Sequence, residues 1–112
     1  MARILVIAPD EDLRRSIEFA LGAEGHRVKW RSSIGATEMP GDFDCTVVDH
    51  HALGNNKAVA RAFLEAFEPS ILLANGPHDL SHLAFRTMLK PHLGAALTAA
   101  IHDALEARAI PK

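Results

Sequence analysis

Asp49 closes the apolar run Cys45-Thr46-Val47-Val48, and about forty positions later Lys90 closes Met88-Leu89. An apolar run ending in a lone acid reads as a buried parallel strand that delivers its carboxylate to the carboxyl edge of a sheet, where open α/β folds keep their sites. The second run repeats the arrangement with an ammonium. Together they outline a phosphoryl-accepting pocket: a carboxylate attacks phosphorus, and cations held in advance meet the charge developing on the phosphoryl oxygens. Asp49 would be the nucleophile. Lys90 suits the second task, because a compact ammonium pairs with Asp49 before the reaction and with a phosphoryl oxygen after it. The same two residues also read as a partly buried ion pair kept for stability.

The elements that must position this pair follow from period and punctuation. Short apolar runs alternate with helical stretches, which predicts a parallel sheet covered by helices on both faces. Residues 4–8 form the first strand, and a helix begins near Asp10, whose side chain can cap it, with Leu13, Ile17, Ala20 and Leu21 as its buried stripe. Gly25 ends that helix. Residues 26–31 make a second strand, in which Val28 and Trp30 alternate with Arg27, Lys29 and Arg31 as on an edge. Residues 33–39 read as a weak helix before Pro40-Gly41, and 44–49 as the central strand. A helix over 55–67 buries Val59, Ala62, Phe63, Ala66 and Phe67, and Pro69 bars its continuation. Residues 71–74 are strand four, 80–84 a short, poorly defined helix, and 86–89 strand five. Pro91 opens the last helix, with Leu93, Leu97, Ile101 and Leu105 on one face beside Ala100 and Ala104.

Composition narrows the function. A length of 112 residues, 48% hydrophobic, suits a single domain over 1–112 with one core. Net charge is −2 and the isoelectric point about 6.4, so no overall field draws the chain to nucleic acid or to an anionic membrane. The basic residues around Trp30 are explained by the edge strand. One cysteine, Cys45, makes neither an internal disulfide nor a thiolate zinc site, and the first apolar run is too short for a signal peptide core or a membrane span. A cytoplasmic protein is expected. No triad, dyad or phosphate loop is present, so no enzymatic activity is expected. Among seven histidines, His78 and His82 have one-face helical spacing but lack a third ligand nearby, and His50 and His51 read as loop residues flanking the site. Phe19 lies off the stripe of its helix, at the flank or in solvent.

The whole chain resembles the response-regulator receiver domain of two-component signalling. Ile4-Leu5-Val6-Ile7 with Asp12-Leu13-Arg14-Arg15 is similar to that family's opening strand and helix, residues 44–49 to its phosphoacceptor strand, and Lys90-Pro91 to its lysine-proline pair. The resemblance implies a flavodoxin-like, doubly wound five-stranded parallel sheet of order 2-1-3-4-5, with the tips of strands one, three and five together. It implies Asp49 as phosphoacceptor, Lys90 in contact with phosphate, and a histidine kinase or phosphotransfer protein as partner. It also implies Mg2+ held by two acidic residues at the end of the first strand.

Those two positions are Ala8 and Pro9, so Mg2+ binding is expected to be weak or absent, with Asp10 and Asp49 as its remaining ligands. Asp10 follows the missing pair and has two readings, residual pocket acid and helix cap. The switch hydroxyl of strand four is replaced by Ala74, and the aromatic switch of strand five by Thr87. The pattern is that of an atypical or pseudo-receiver. The favoured function is a stand-alone receiver in a phosphorelay, phosphorylated at Asp49 slowly or not at all. The alternative is a protein-interaction module independent of phosphorylation, and a homodimer remains open. A remote alternative comes from Asp49-His50-His51-Ala52-Leu53-Gly54, which, with Asn56 nearby, resembles the loop that places a histidine (here His51) under cobalt in cobalamin-binding domains. That family places the motif after the first strand of its domain and has a Gly-Gly turn absent here.

Overall fold

The computed structural model describes residues 2–34, 40–90 and 94–109. Five parallel strands, β1 (Arg3–Ile7), β2 (Arg27–Arg31), β3 (Cys45–Asp49), β4 (Ser70–Ala74) and β5 (Arg86–Leu89), form one sheet in the order β2-β1-β3-β4-β5. This is the order expected from the resemblance. The long helices are α1 (Glu11–Ala23), α2 (Lys57–Ala66) and α3 (Gly94–Ala109).

The period of two along the strands sorts the core onto two faces. Ile4, Val6, Cys45, Val47, Ile71 and Leu73 lie under α1 and α3 with Ile17, Leu21, Leu97, Ala100, Ile101 and Ala104. Leu5, Ile7, Val48 and Leu72 face the other way, against Ala60 and Leu64 of α2 and Leu53 of the segment after β3. β3 and β4 are buried along their whole length, as central parallel strands with helices on both faces must be. The edge strand β2 has no fully buried residue. Among the described residues, no helix is long and apolar enough to cross a membrane.

Element boundaries moved by a residue or two from the sequence reading, except for β5, and Ala20 is only partly buried. The short helix expected over 80–84 is one 3-10 turn, Ser81–Leu83. Most of the weak helix expected over 33–39 lies outside the described residues, as do Pro91 and Leu93 at the start of the last helix. Gly25 ends α1 as expected, at φ +84°, which a side chain would strain.

The buried face of α2 is a correction. Val59 is 48% exposed, Ala62 and Ala66 are exposed, and the fully buried residues are Ala60 and Leu64, with Phe63 and Phe67 half-buried. The expected face, 59-62-63-66-67, and the observed row, 60-63-64-67, are adjacent on a helix and share Phe63 and Phe67. Leu64 belongs only to the second row. Burying it against the sheet removes more apolar surface from water than burying Val59, and Ala60, one turn earlier, lets the helix lie close.

Candidate functional site

Asp49 is the last residue of β3 and caps the 3-10 helix His50–Leu53, its Oδ1 accepting a hydrogen bond from the His51 amide at 3.0 Å. Its side chain is only 1% exposed. Lys90 follows β5 directly, and its amide donates to the Ala74 carbonyl at 3.0 Å, carrying the β4–β5 ladder one residue further. The parallel order thus brings together residues 41 positions apart: Lys90 Nζ donates to Oδ2 at 3.0 Å and to Oδ1 at 3.2 Å. A carboxylate buried this deeply needs a cation and hydrogen bonds to offset its desolvation, and it has both.

The end of β1 is built differently. Ala8 is fully buried, its amide donating to the Arg31 carbonyl at 3.0 Å and its carbonyl accepting from Arg14 Nη1 at 3.1 Å. The Arg14 guanidinium lies 3.9 Å from the centroid of the Trp30 ring, a cation–π contact on a side chain otherwise packed inside. Asp10 serves as the N-cap of α1, its Oδ1 accepting from the amides of Asp12 at 2.9 Å and Leu13 at 3.3 Å. Of the two readings of Asp10, the cap is the one seen.

This donor set does not fit magnesium. Mg2+ requires near-octahedral oxygen coordination, and the β1 end offers no side-chain oxygen at Ala8 or Pro9, while the Asp10 carboxylate is engaged by its cap. Among the described residues at these strand ends, Asp49 leaves one carboxylate, shared with Lys90, where magnesium would need several oxygens. Ala74, buried at the end of β4, has no hydroxyl to turn toward a phosphoryl group. Thr87 is half-buried in β5, paired in register with Leu72.

What surrounds Asp49 is nitrogen. His51 Nδ1 lies 3.5 Å from Asp49 Oδ1, and the His50 and His51 rings are 4.0 Å apart, tilted by 34°. His78 meets His50 edge-on at 5.9 Å. His51 is exposed as expected, but both histidines stand in the 3-10 helix, and His50 Nε2 is buried with no hydrogen-bond partner. Leaving such an atom unpaired costs about 1–3 kcal/mol. Burial lowers the pKa of His50, with the charge of His51 adding to the effect and that of Asp49 opposing it.

The sequence reading missed Arg14. It lies three residues before Ile17 and seven before Leu21, on the buried stripe itself, so its position was legible although its target, the Ala8 carbonyl, was not. His82 lies in the 3-10 turn Ser81–Leu83, and neither it nor His78 belongs to a three-ligand group among the described residues. Phe19 is 81% exposed. An open cavity of about 350 Å³ lies beside the site, lined by Leu53, Gly54, Lys57, His78 and Asp79 among others, with Lys57 and Asp79 paired at 2.6 Å.

Comparison with known proteins bears on the fold that carries this site. The chain is 33% identical over 103 residues to the transcriptional regulator protein FixT of Rhizobium meliloti strain 1021, spanning 89% of this chain and 90% of that one. A receiver domain from Clostridium thermocellum superposes with a TM-score of 0.80 at 24% identity, over 96% of this chain and 97% of that one. The non-phosphorylated HemR receiver domain of Leptospira biflexa gives 0.77 at 21%, over 100% and 98%. The BeF3-activated receiver domain of RstA from Klebsiella pneumoniae gives 0.74 at 20%, over 92% and 97%. No family model matches. The chain belongs to the response-regulator receiver family. The D-x-H-x-x-G segment therefore begins at the end of the third strand and runs through the 3-10 helix after it, and the likeness to a cobalamin loop is confined to that segment and Asn56, which caps α2 through the Val59 amide.

Proposed function

We propose that this protein is a pseudo-receiver: a cytoplasmic signalling module that binds a histidine kinase or phosphotransfer protein and acts by occupying it, with no turnover of its own. The observation that carries this reading is the fate of Asp10. With Ala8 and Pro9 apolar, Asp10 is the remaining acid at the β1 end, and its Oδ1 is taken by the cap of α1. Asp49 and Lys90 then stand as a resident ion pair that ties β3 to the end of β5 and holds the receiver surface in one conformation.

A second reading is favoured by the same pair. A buried carboxylate in contact with an ammonium is the minimal acceptor, and phosphoryl transfer to Asp49 would leave Lys90 in place to neutralise the product. Intact-mass measurement after incubation with acetyl phosphate and Mg2+, run beside Asp49→Asn and beside a binding assay with a histidine kinase core, separates the two. On the first reading no phosphoryl adduct forms, and the parent binds the kinase core without one. An adduct on the parent that is missing from Asp49→Asn would overturn that reading in favour of the second.

A further inference from the structure

We propose that Asp49, His50 and His51 form a binding site for a borderline divalent metal ion of the zinc type, in the place where a receiver would hold magnesium. Among the described residues these three are the one group able to offer three ligand atoms to one ion, all within 4.8 Å of one another. Tetrahedral zinc with bonds of about 2.0–2.2 Å to imidazole nitrogen and carboxylate oxygen separates its ligand atoms by about 3.3–3.5 Å. His51 Nδ1 and Asp49 Oδ1 already stand at 3.5 Å, so only the His50 ring has to close in.

The donor set selects the ion. Two imidazoles and one carboxylate suit zinc and its neighbours and are a poor match for magnesium. A further observation points to a ligand. His50 Nε2 is buried without a hydrogen-bond partner, a lone nitrogen that a metal would satisfy. The backbone is set as well: the His51 amide bond to Asp49 Oδ1 holds the carboxylate over the first turn of the 3-10 helix that carries both rings. His51 lies on the open side, leaving a fourth position for solvent.

Such an ion would share Asp49 with Lys90 and add a positive charge beside it, whether or not Asp49 accepts a phosphoryl group. Metal binding is therefore independent of the function proposed above. The test is calorimetric titration with Zn2+ and visible spectroscopy with Co2+, on the parent and on His50→Ala, His51→Ala and His102→Ala. The last removes a competing exposed pair, since His102 Nε2 lies 3.0 Å from Glu106 on α3. The expected result is one equivalent bound, with intense Co2+ d–d bands, weakened at least about tenfold in His50→Ala and His51→Ala and unchanged in His102→Ala. Alanine keeps the amide that bonds to Asp49, and circular dichroism verifies the fold of each variant. Absence of binding, parent-like affinity in His50→Ala or His51→Ala, or loss in His102→Ala would each overturn the proposal.

Discussion

The carboxyl edge of the sheet has two halves that differ in kind. At the tips of β3 and β5, Asp49 and Lys90 keep the charges of a phosphoryl pocket and hold one another at 3.0 and 3.2 Å. At the tip of β1 no carboxylate faces the pocket: Ala8 is sealed by the Arg31 carbonyl and the Arg14 guanidinium, and Asp10 is turned into its own helix. An anion-accepting half can outlive the cation-binding half because its two residues also stabilise the fold, whereas two carboxylates beside Asp49 without their metal only repel it. The half that is lost is the half that was a burden without its ligand.

Removing a charge from the retained half gives the largest expected effect. Lys90→Met leaves the Asp49 carboxylate buried beside no cation and costs about 3 kcal/mol in urea-induced unfolding, and adding Asp49→Asn recovers most of the loss. Equal stability of Lys90→Met and the parent would mean that the pair contributes nothing and that the two halves are energetically alike. Rebuilding the lost half is the second manipulation. Ala8→Asp with Pro9→Asp restores two oxygen ligands, and phosphorylation by acetyl phosphate then becomes Mg2+-dependent and at least about tenfold faster, roughly 1.4 kcal/mol of barrier, read by intact mass. A double variant as inert as the parent would place the defect in Ala74 and Thr87 instead.

The smallest effect lies at the opposite edge and serves as its reference. His26 accepts a hydrogen bond from the Ala2 amide through Nδ1 at 3.2 Å, and its pKa is lowered, chiefly by burial and then by the positive amino terminus. A lowered folded-state pKa means that the unfolded chain binds the proton more readily. The contribution of His26 is therefore complete above about pH 6.5 and is lost as pH falls through the lower folded value. The urea midpoint should drop modestly below pH 6.5, and His26→Gln should flatten that part of the profile; an unchanged slope would assign it to other groups.

Much of this was legible without coordinates. Apolar runs ending in Asp49 and Lys90 have one economical reading, and the alternation of runs with helical stretches leads to the observed strand order through the resemblance to receivers. Asp10 as a cap and Ala8, Pro9 and Ala74 as lost positions also followed, because a missing oxygen is visible in the residue type itself. The face of α2 was legible only in Phe63 and Phe67: rows 59-62-63-66-67 and 60-63-64-67 are both apolar, and only the sheet beneath decides which is covered.

The sequence by itself determined which groups stand at which strand ends, since strand period and the alternation of strands with helices follow from local patterns of apolar and polar residues. The tertiary structure alone decided which of those groups meet. It put Lys90 on both oxygens of Asp49 and gave the Ala8 carbonyl to Arg14. Distances between residues far apart in the chain are set by the packing of the whole sheet, which no window of sequence contains.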